Sequence, residues 1–406
     1  MSPDLSSACW QLPGPRKFVQ RIGMDLRDGV SQIIFAPPSL ELAAFRQALW
    51  DCMEKDLYLH TFSIDPSLFE GAKPFDVLRK TFPDLTKSQY LEKAVDNPNL
   101  PDVISVENIE NCSVPRCQEW INSSARWAEA CRSSGAKHSL VILLKTGDTQ
   151  QFKLPQTDVR LKYRVLAGFP SSLEVRLLCR LETNEINAEN QWREYILASL
   201  AGNDLSLCEL LWEEVFNPLK SIQEALRKYG EERGWEKVAH NSKLQNWRPQ
   251  PPGLEVTPSP TDKTFDLLSS GITIYTPEYG EEIHPGLLAL NKNEEDIIHR
   301  IWRAQAALLL PLVDDVRRRI CNHFTARHGE GWAVVDQTIN TPPLEMGKLR
   351  MFFDALPNNS WEKRQWGLGV QNAWMIRNDL AHYTPVSYEA YREFWRLSSN
   401  VHATVN

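Results

Sequence analysis

Near the C-terminal end of this 406-residue chain, Arg377, Asn378 and His382 fall within six consecutive residues of the run Trp374-Met375-Ile376-Arg377-Asn378-Asp379-Leu380-Ala381-His382. These three side chains are a short list of parts for cleaving a phosphodiester without metal. An imidazole takes a proton from a 2′-hydroxyl or gives one to a leaving 5′-oxygen, and a guanidinium holds the negative charge that builds on phosphorus. An amide beside them can orient the phosphate or the arginine. That chemistry asks for no metal and no cofactor, so neither is expected.

The motif lies at the end of an apolar helical pattern over 361–381. On an ideal helix Arg377 and His382 stand roughly 140° apart around the axis. They can serve one substrate only if the helix ends between them, and Pro385 favours that by disfavouring helical geometry at Thr384. Ser387 is a ready N-cap for a last helix over 388–399. Upstream, "LEMGKLRMFFDAL" over 344–356 carries Gly347 inside an apolar pattern. Arg377-Asn378 followed by His382 in "MIRNDLAHYTPVS", with these neighbours, resembles the signature of the HEPN superfamily of small helical domains, many of them ribonucleases that serve as toxins or antiviral effectors. The resemblance covers about the last third of the chain. It implies that two copies face each other across a dimer, with His382 as general acid or base, Arg377 stabilising the phosphorane and Asn378 orienting the phosphate. The residues alone also allow a plainer reading, in which Arg377 compensates the helix dipole and His382 caps the helix end. Asp379 is expected in solvent, and the basic run Arg317-Arg318-Arg319 is expected to pair with Asp314 and Asp315. His299 and His323 have no matching partner in sequence and read as surface or core groups.

A net charge of −7 excludes strong general attraction to nucleic acid, so any RNA contact must be local. The start of the chain has no basic-then-apolar leader, and no apolar run is long enough to span a bilayer, so a cytoplasmic protein without membrane contact is expected. The eight cysteines are scattered singly, without zinc-finger spacing, and read as small buried residues.

From residue 16 onward, helical stretches alternate with short apolar runs at 30–36, 57–64, 102–107 and 139–145, the pattern of a parallel sheet covered on both faces. The runs at 159–168 and 173–182 read as a further pair of strands. This order resembles the core of P-loop nucleotidases of the AAA or STAND kind. A working phosphate loop needs glycines, a lysine and a Ser or Thr that binds magnesium. After the first strand the chain instead reads Pro37-Pro38-Ser39-Leu40-Glu41-Leu42, with no glycine or lysine. Glu107 stands where an acidic metal partner would be, but has no nucleotide to serve. The expectation is a degenerate nucleotidase-like domain without ATPase activity.

The expected organisation is a P-loop-like α/β domain over 1–185, a helical module over 186–243, a proline-rich linker over 244–263, and an all-α HEPN-like bundle over 264–406 with a short strand near 272–275. Within the bundle a long helix starts near Asn293, with Pro311 expected to kink or split it. Together these features suggest a metal-independent endoribonuclease effector or toxin of a bacterial defence system. Its partners would be an RNA substrate, a second copy of the chain, and a protein partner in a defence complex. The alternative is a non-catalytic scaffold that uses the helical domain for binding or dimerisation.

Overall fold

The computed structural model describes residues 5–38, 40–69, 71–87, 90–145, 149–156, 158–239, 244, 247–253, 258–335 and 338–404. The chain forms two compact units interleaved along the sequence. The first comprises Met1–Val175, Gly202–Glu209 and Gly230–Leu287; the second comprises Arg176–Ala201, Leu210–Tyr229 and Leu288–Asn406.

The first unit is built on five parallel strands, β1 (Ser31–Ala36), β2 (Thr61–Ile64), β3 (Val103–Val106), β4 (Ser139–Lys145) and β5 (Leu161–Val165), in the order β2-β3-β4-β1-β5. In β1 every residue is buried, as a central strand with both faces covered requires. Its register sets Gln32 beside Val141 of β4 and beside Lys162 of β5. Helices α1 (Pro13–Arg27) and α2 (Leu42–Asp51) bury Ile22, Leu26 and Phe45 with Ile34 and Val141 in one core. A second core joins Trp120 and Trp127 of α3 (Val114–Ser134) to Phe35, Ile104 and Ile142. Successive strand residues point to opposite faces, so Ile34 and Phe35 serve the two cores in turn.

The run at 173–182 is not a strand. It forms α4 (Ser172–Thr183), burying Val175, Leu178 and Cys179 at helical spacing, while Leu173, Leu177 and Leu181 are exposed. The local chemistry explains this: Ser171 Oγ accepts from the Glu174 N–H at 3.3 Å, and Glu174 accepts from the Ser171 N–H at 2.8 Å, a reciprocal cap that starts a helix. β5 is therefore the sheet edge, with no hairpin partner from this run.

The first unit runs on through the proline-rich stretch. Gln250 exchanges backbone and side-chain hydrogen bonds with Glu281, and Gly253 N–H donates to the Pro277 carbonyl at 2.8 Å, laying 250–253 against the hairpin of β6 (Thr273–Thr276) and β7 (Gly280–Ile283).

The second unit is helical. α5 (Ala188–Leu200) packs on α6 (Glu294–His328), with Ser199 Oγ donating to the Arg300 carbonyl at 2.9 Å. α7 (Met346–Ala355), α8 (Trp361–Ala381) and α9 (Tyr388–Thr404) complete the bundle. α6 is continuous through Pro311 and is not split there. Pro311 and Ala307 both lie on the exposed side, so solvent can hydrate the carbonyl that the proline leaves without a donor. Gly369 of α8 has a packing reason: a Cβ there would meet the Leu397 side chain of α9 within 2.7–2.9 Å. Among the described residues no helix is long and apolar enough to cross a membrane, and all eight cysteines are free.

One polar cluster ties the first unit together. Asp25 of α1 pairs with Lys162 and Arg164 of β5, and accepts from Gln32 Nε2 at 3.2 Å. Burial alone would raise its carboxyl, but hydrogen bonds from Lys162 and Arg164 outweigh that and hold it below the ordinary 3.8. A depressed folded-state value stabilises the fold above the unfolded carboxyl's value, and the stabilisation is lost as pH falls through the lower folded one. Asp25→Asn should therefore lower the urea midpoint at pH 7, and its gap to wild type should close below about pH 4. An equal gap at pH 7 and pH 3 would show that the carboxylate charge contributes nothing.

Candidate active site

α8 begins at Ser360, whose hydroxyl accepts from the Lys363 N–H, and buries Trp366, Val370, Ala373, Ile376 and Leu380. Arg377 is exposed one residue past Ile376, Asn378 is half-buried, and His382 is exposed as the C-cap residue. The helix thus ends at Ala381, between the arginine and the imidazole. Arg377 Nη1 donates to Asn378 Oδ1 at 3.3 Å. Among the described residues Arg377 and His382 share no hydrogen bond, so within one chain they flank an open helix end without touching.

The turn that exposes them has a defined geometry. The Thr384 N–H donates to the Asp379 carbonyl at 2.9 Å and the Tyr383 N–H to the Leu380 carbonyl at 3.3 Å, which together form a Schellman motif. The residue in the left-handed position is Tyr383, at φ 58°, where glycine is the usual choice.

α6 holds this turn from behind. Gln305, 1% exposed, donates from Nε2 to the Val386 carbonyl at 2.8 Å and accepts from the Val386 N–H at 2.7 Å. Trp302 Nε1 donates to the Leu380 carbonyl at 2.7 Å, a second donor for an acceptor that the Tyr383 N–H also reaches. Neither Gln305 nor Trp302 stands out in the sequence; the available signal is an amide on the largely apolar face of a long helix, which must find a buried partner.

The other sequence-derived candidates fall elsewhere. Arg317 and Arg318 pair with Asp314, at 2.6 and 2.7 Å, and Arg319 pairs with Asp315 at 2.9 Å, so each arginine of this run has a carboxylate partner on its own helix. His323 is half-buried against the Trp366 ring, and burial pushes its imidazole below the ordinary 6.5. Asp379 is exposed in the same last turn as Arg377.

At the C-terminal edge of the sheet, Glu107 accepts from Trp50 Nε1 at 3.1 Å. Arg46 of α2 spans Asn108 at 3.0 Å and Glu110 at 3.2 Å, and Asn108 donates to Asp65 at 2.8 Å. These acids are thus engaged with the protein itself. After β1, Pro37 and Leu40 line a cavity of about 40 Å³ together with Phe169, Asp204 and His284, whereas ligand sites occupy roughly 300–1,000 Å³. Ser39 lies outside the described residues. His284 is a buried histidine that motif reading passes over. Its Nδ1 accepts from the Gly286 N–H at 3.1 Å and its Nε2 lies 3.1 Å from Asp204. With both ring nitrogens engaged, it fastens the chain after β7 to the 202–209 segment and has no lone pair to offer a substrate. Among the described residues no group of three His, Cys, Asp or Glu side chains is placed to hold a metal ion.

The division of labour at the α8 end is measurable. Gln305→Leu leaves the buried Val386 N–H and carbonyl unsatisfied and should cost about 2–4 kcal/mol in urea unfolding. Arg377→Ala and His382→Ala, both at exposed positions, should stay within about 0.5 kcal/mol of wild type. A large loss from either alanine variant would make that residue part of the scaffold. No protein-family model and no curated protein matches the chain.

Proposed function

We propose that the chain is a metal-independent endoribonuclease of the HEPN kind, an effector of a bacterial defence system. The observation that carries this reading is the exposure of Arg377 and His382 at one helix end, whose turn is held by α6. In the reaction, the ribose 2′-oxygen attacks the adjacent phosphorus as its proton passes to one imidazole. The bond from phosphorus to the 5′-oxygen breaks as a proton reaches that oxygen from a second acid. The products are a 2′,3′-cyclic phosphate and a 5′-hydroxyl. One imidazole cannot serve both ends of this step at once, which is a chemical reason for two copies of the chain to meet at this surface. Arg377 would stabilise the phosphorane, and Asn378, already bonded to Arg377, would hold its guanidinium toward the phosphate.

The parallel sheet supports the nucleotidase-like part of the reading. β1 leads into the proline loop, β3 ends at an acid, and β4 follows after α3. With its loop lacking glycine and lysine and its acids bonded internally, this unit would scaffold or sense without hydrolysing ATP. The second reading, a scaffold that binds without cleaving, is favoured by the exposed Asp379 carboxylate, which repels phosphate beside Arg377.

Purified protein incubated with total RNA in EDTA should generate 5′-hydroxyl ends and cyclic phosphates. His382→Ala should abolish them, and Arg377→Ala should slow cleavage by about 10²–10³-fold. RNA left intact at every protein concentration tried would leave only the scaffold.

A further inference from the structure

Beside the helix end, three rings follow one another. His299 and Trp302, one turn apart on α6, have ring centroids 5.5 Å apart, and Trp302 and Tyr383 have theirs 4.6 Å apart at 40°. Tyr383 is 64% exposed, so burial does not explain its bulk. Its backbone is left-handed at φ 58°, a conformation that costs about 1–2 kcal/mol for a residue with a Cβ and that glycine adopts freely. The fold therefore carries a strained, solvent-facing aromatic at the residue next to His382, where the Schellman turn alone would be better served by glycine.

We propose that Tyr383, backed by Trp302, is a stacking platform for an unpaired nucleobase, so that this site takes single-stranded RNA. The inference rests on the nuclease reading for its choice of ligand. A base has two π faces and stacks on exposed aromatic rings irrespective of its identity, and unpaired bases are the ones a protein can reach in RNA. With its base on Tyr383, a nucleotide's sugar-phosphate lies beside His382 on the neighbouring residue, and Arg377, one turn back, supplies the complementary charge. Trp302 is fixed by its bond to the Leu380 carbonyl and cannot swing away, which makes the platform rigid. Because the surrounding charge is weak and Asp379 opposes phosphate, most of the affinity at this position must come from the base itself. A paired base in a duplex presents no free face to the ring and is excluded.

The test is binding of short 2′-O-methyl oligoribonucleotides, which cannot be cleaved through the 2′-oxygen, read by fluorescence anisotropy on the full chain. Wild type should bind a pyrimidine hexamer about tenfold or more tighter than the same hexamer with one abasic position or the hexamer in a duplex. Tyr383→Phe keeps the ring and should keep that preference. Tyr383→Gly should erase it while unfolding at the same or higher urea concentration, because the left-handed turn is relieved; loss of binding is then not loss of fold. Tyr58→Ala, which removes an equally left-handed exposed tyrosine from the other unit, should change nothing. A Tyr383→Gly protein that retains the preference overturns the platform, as does a wild type that binds abasic and duplex forms equally well; the surface is then one for a protein partner. Cleavage of total RNA, scored separately, decides the nuclease reading whichever way the binding falls.

Discussion

The paired hydrogen bonds between Gln305 and Val386 are the constraint on which the turn between α8 and α9 depends. A helix ending on a surface normally frays, because its last carbonyls have no donors within the helix. Here the Thr384 and Tyr383 N–H groups reach the Asp379 and Leu380 carbonyls, and α6 adds side-chain partners to the turn. Trp302 takes the Leu380 carbonyl, and Gln305 takes both polar groups of Val386, so the connection between α8 and α9 has a single path. A buried amide is costly to leave unpaired, and that cost makes the arrangement specific: shifting the connection by one residue would strand the amide and the backbone together. Rigidity at the bend and exposure of the side chains on it are therefore achieved by different residues.

The first unit shows the reverse relation. Its sheet is held by apolar burial on both faces, and its charged groups at the C-terminal edge bond to neighbouring side chains of the protein. Arg46 joins Asn108 and Glu110, Asn108 in turn holds Asp65, and Glu107 is occupied by Trp50, while Arg46 Nε and Glu110 Oε2 are buried without a hydrogen-bond partner. A parallel sheet concentrates strand ends and helix starts at that edge whether or not chemistry is done there. Hydrophobic packing maintains this architecture by itself, and in the loop after β1 Pro37 and Pro38 carry no backbone N–H.

The elements most legible in the sequence are those with explicit terminal chemistry. Asn293 caps α6 by accepting from the Asp296 N–H, Ser360 caps α8, and Ser387 accepts from the Ala390 N–H at the start of α9. All three helix starts can be read from residue type alone. The segment that forms α4 has a strand-like period at its start, where Leu173, Val175 and Leu177 alternate with charges. The deciding signal was the Ser171 to Glu174 capping pair, whose two hydrogen bonds outweigh a short alternation. The proline-rich stretch looked like a spacer because prolines forbid a helix. Nothing in its composition reveals that Gln250 and Gly253 would find partners on a hairpin formed later in the chain.

The sequence by itself determined that an arginine, an amide and an imidazole fall together near one helix end, where the helices around them start, and that the loop after the first strand has neither glycine nor lysine. These follow from side-chain chemistry and from dihedral preferences, which are properties of single residues and near neighbours. Only the tertiary structure decided that His382 is exposed and held at a helix end, that Tyr383 sits left-handed against Trp302, and that α5, far upstream in sequence, packs in the same bundle as α6. Each of these depends on partners some 80 to 100 residues away, such as Gln305 for Val386 and Arg300 for Ser199. Local periodicity carries no information about pairings at that separation.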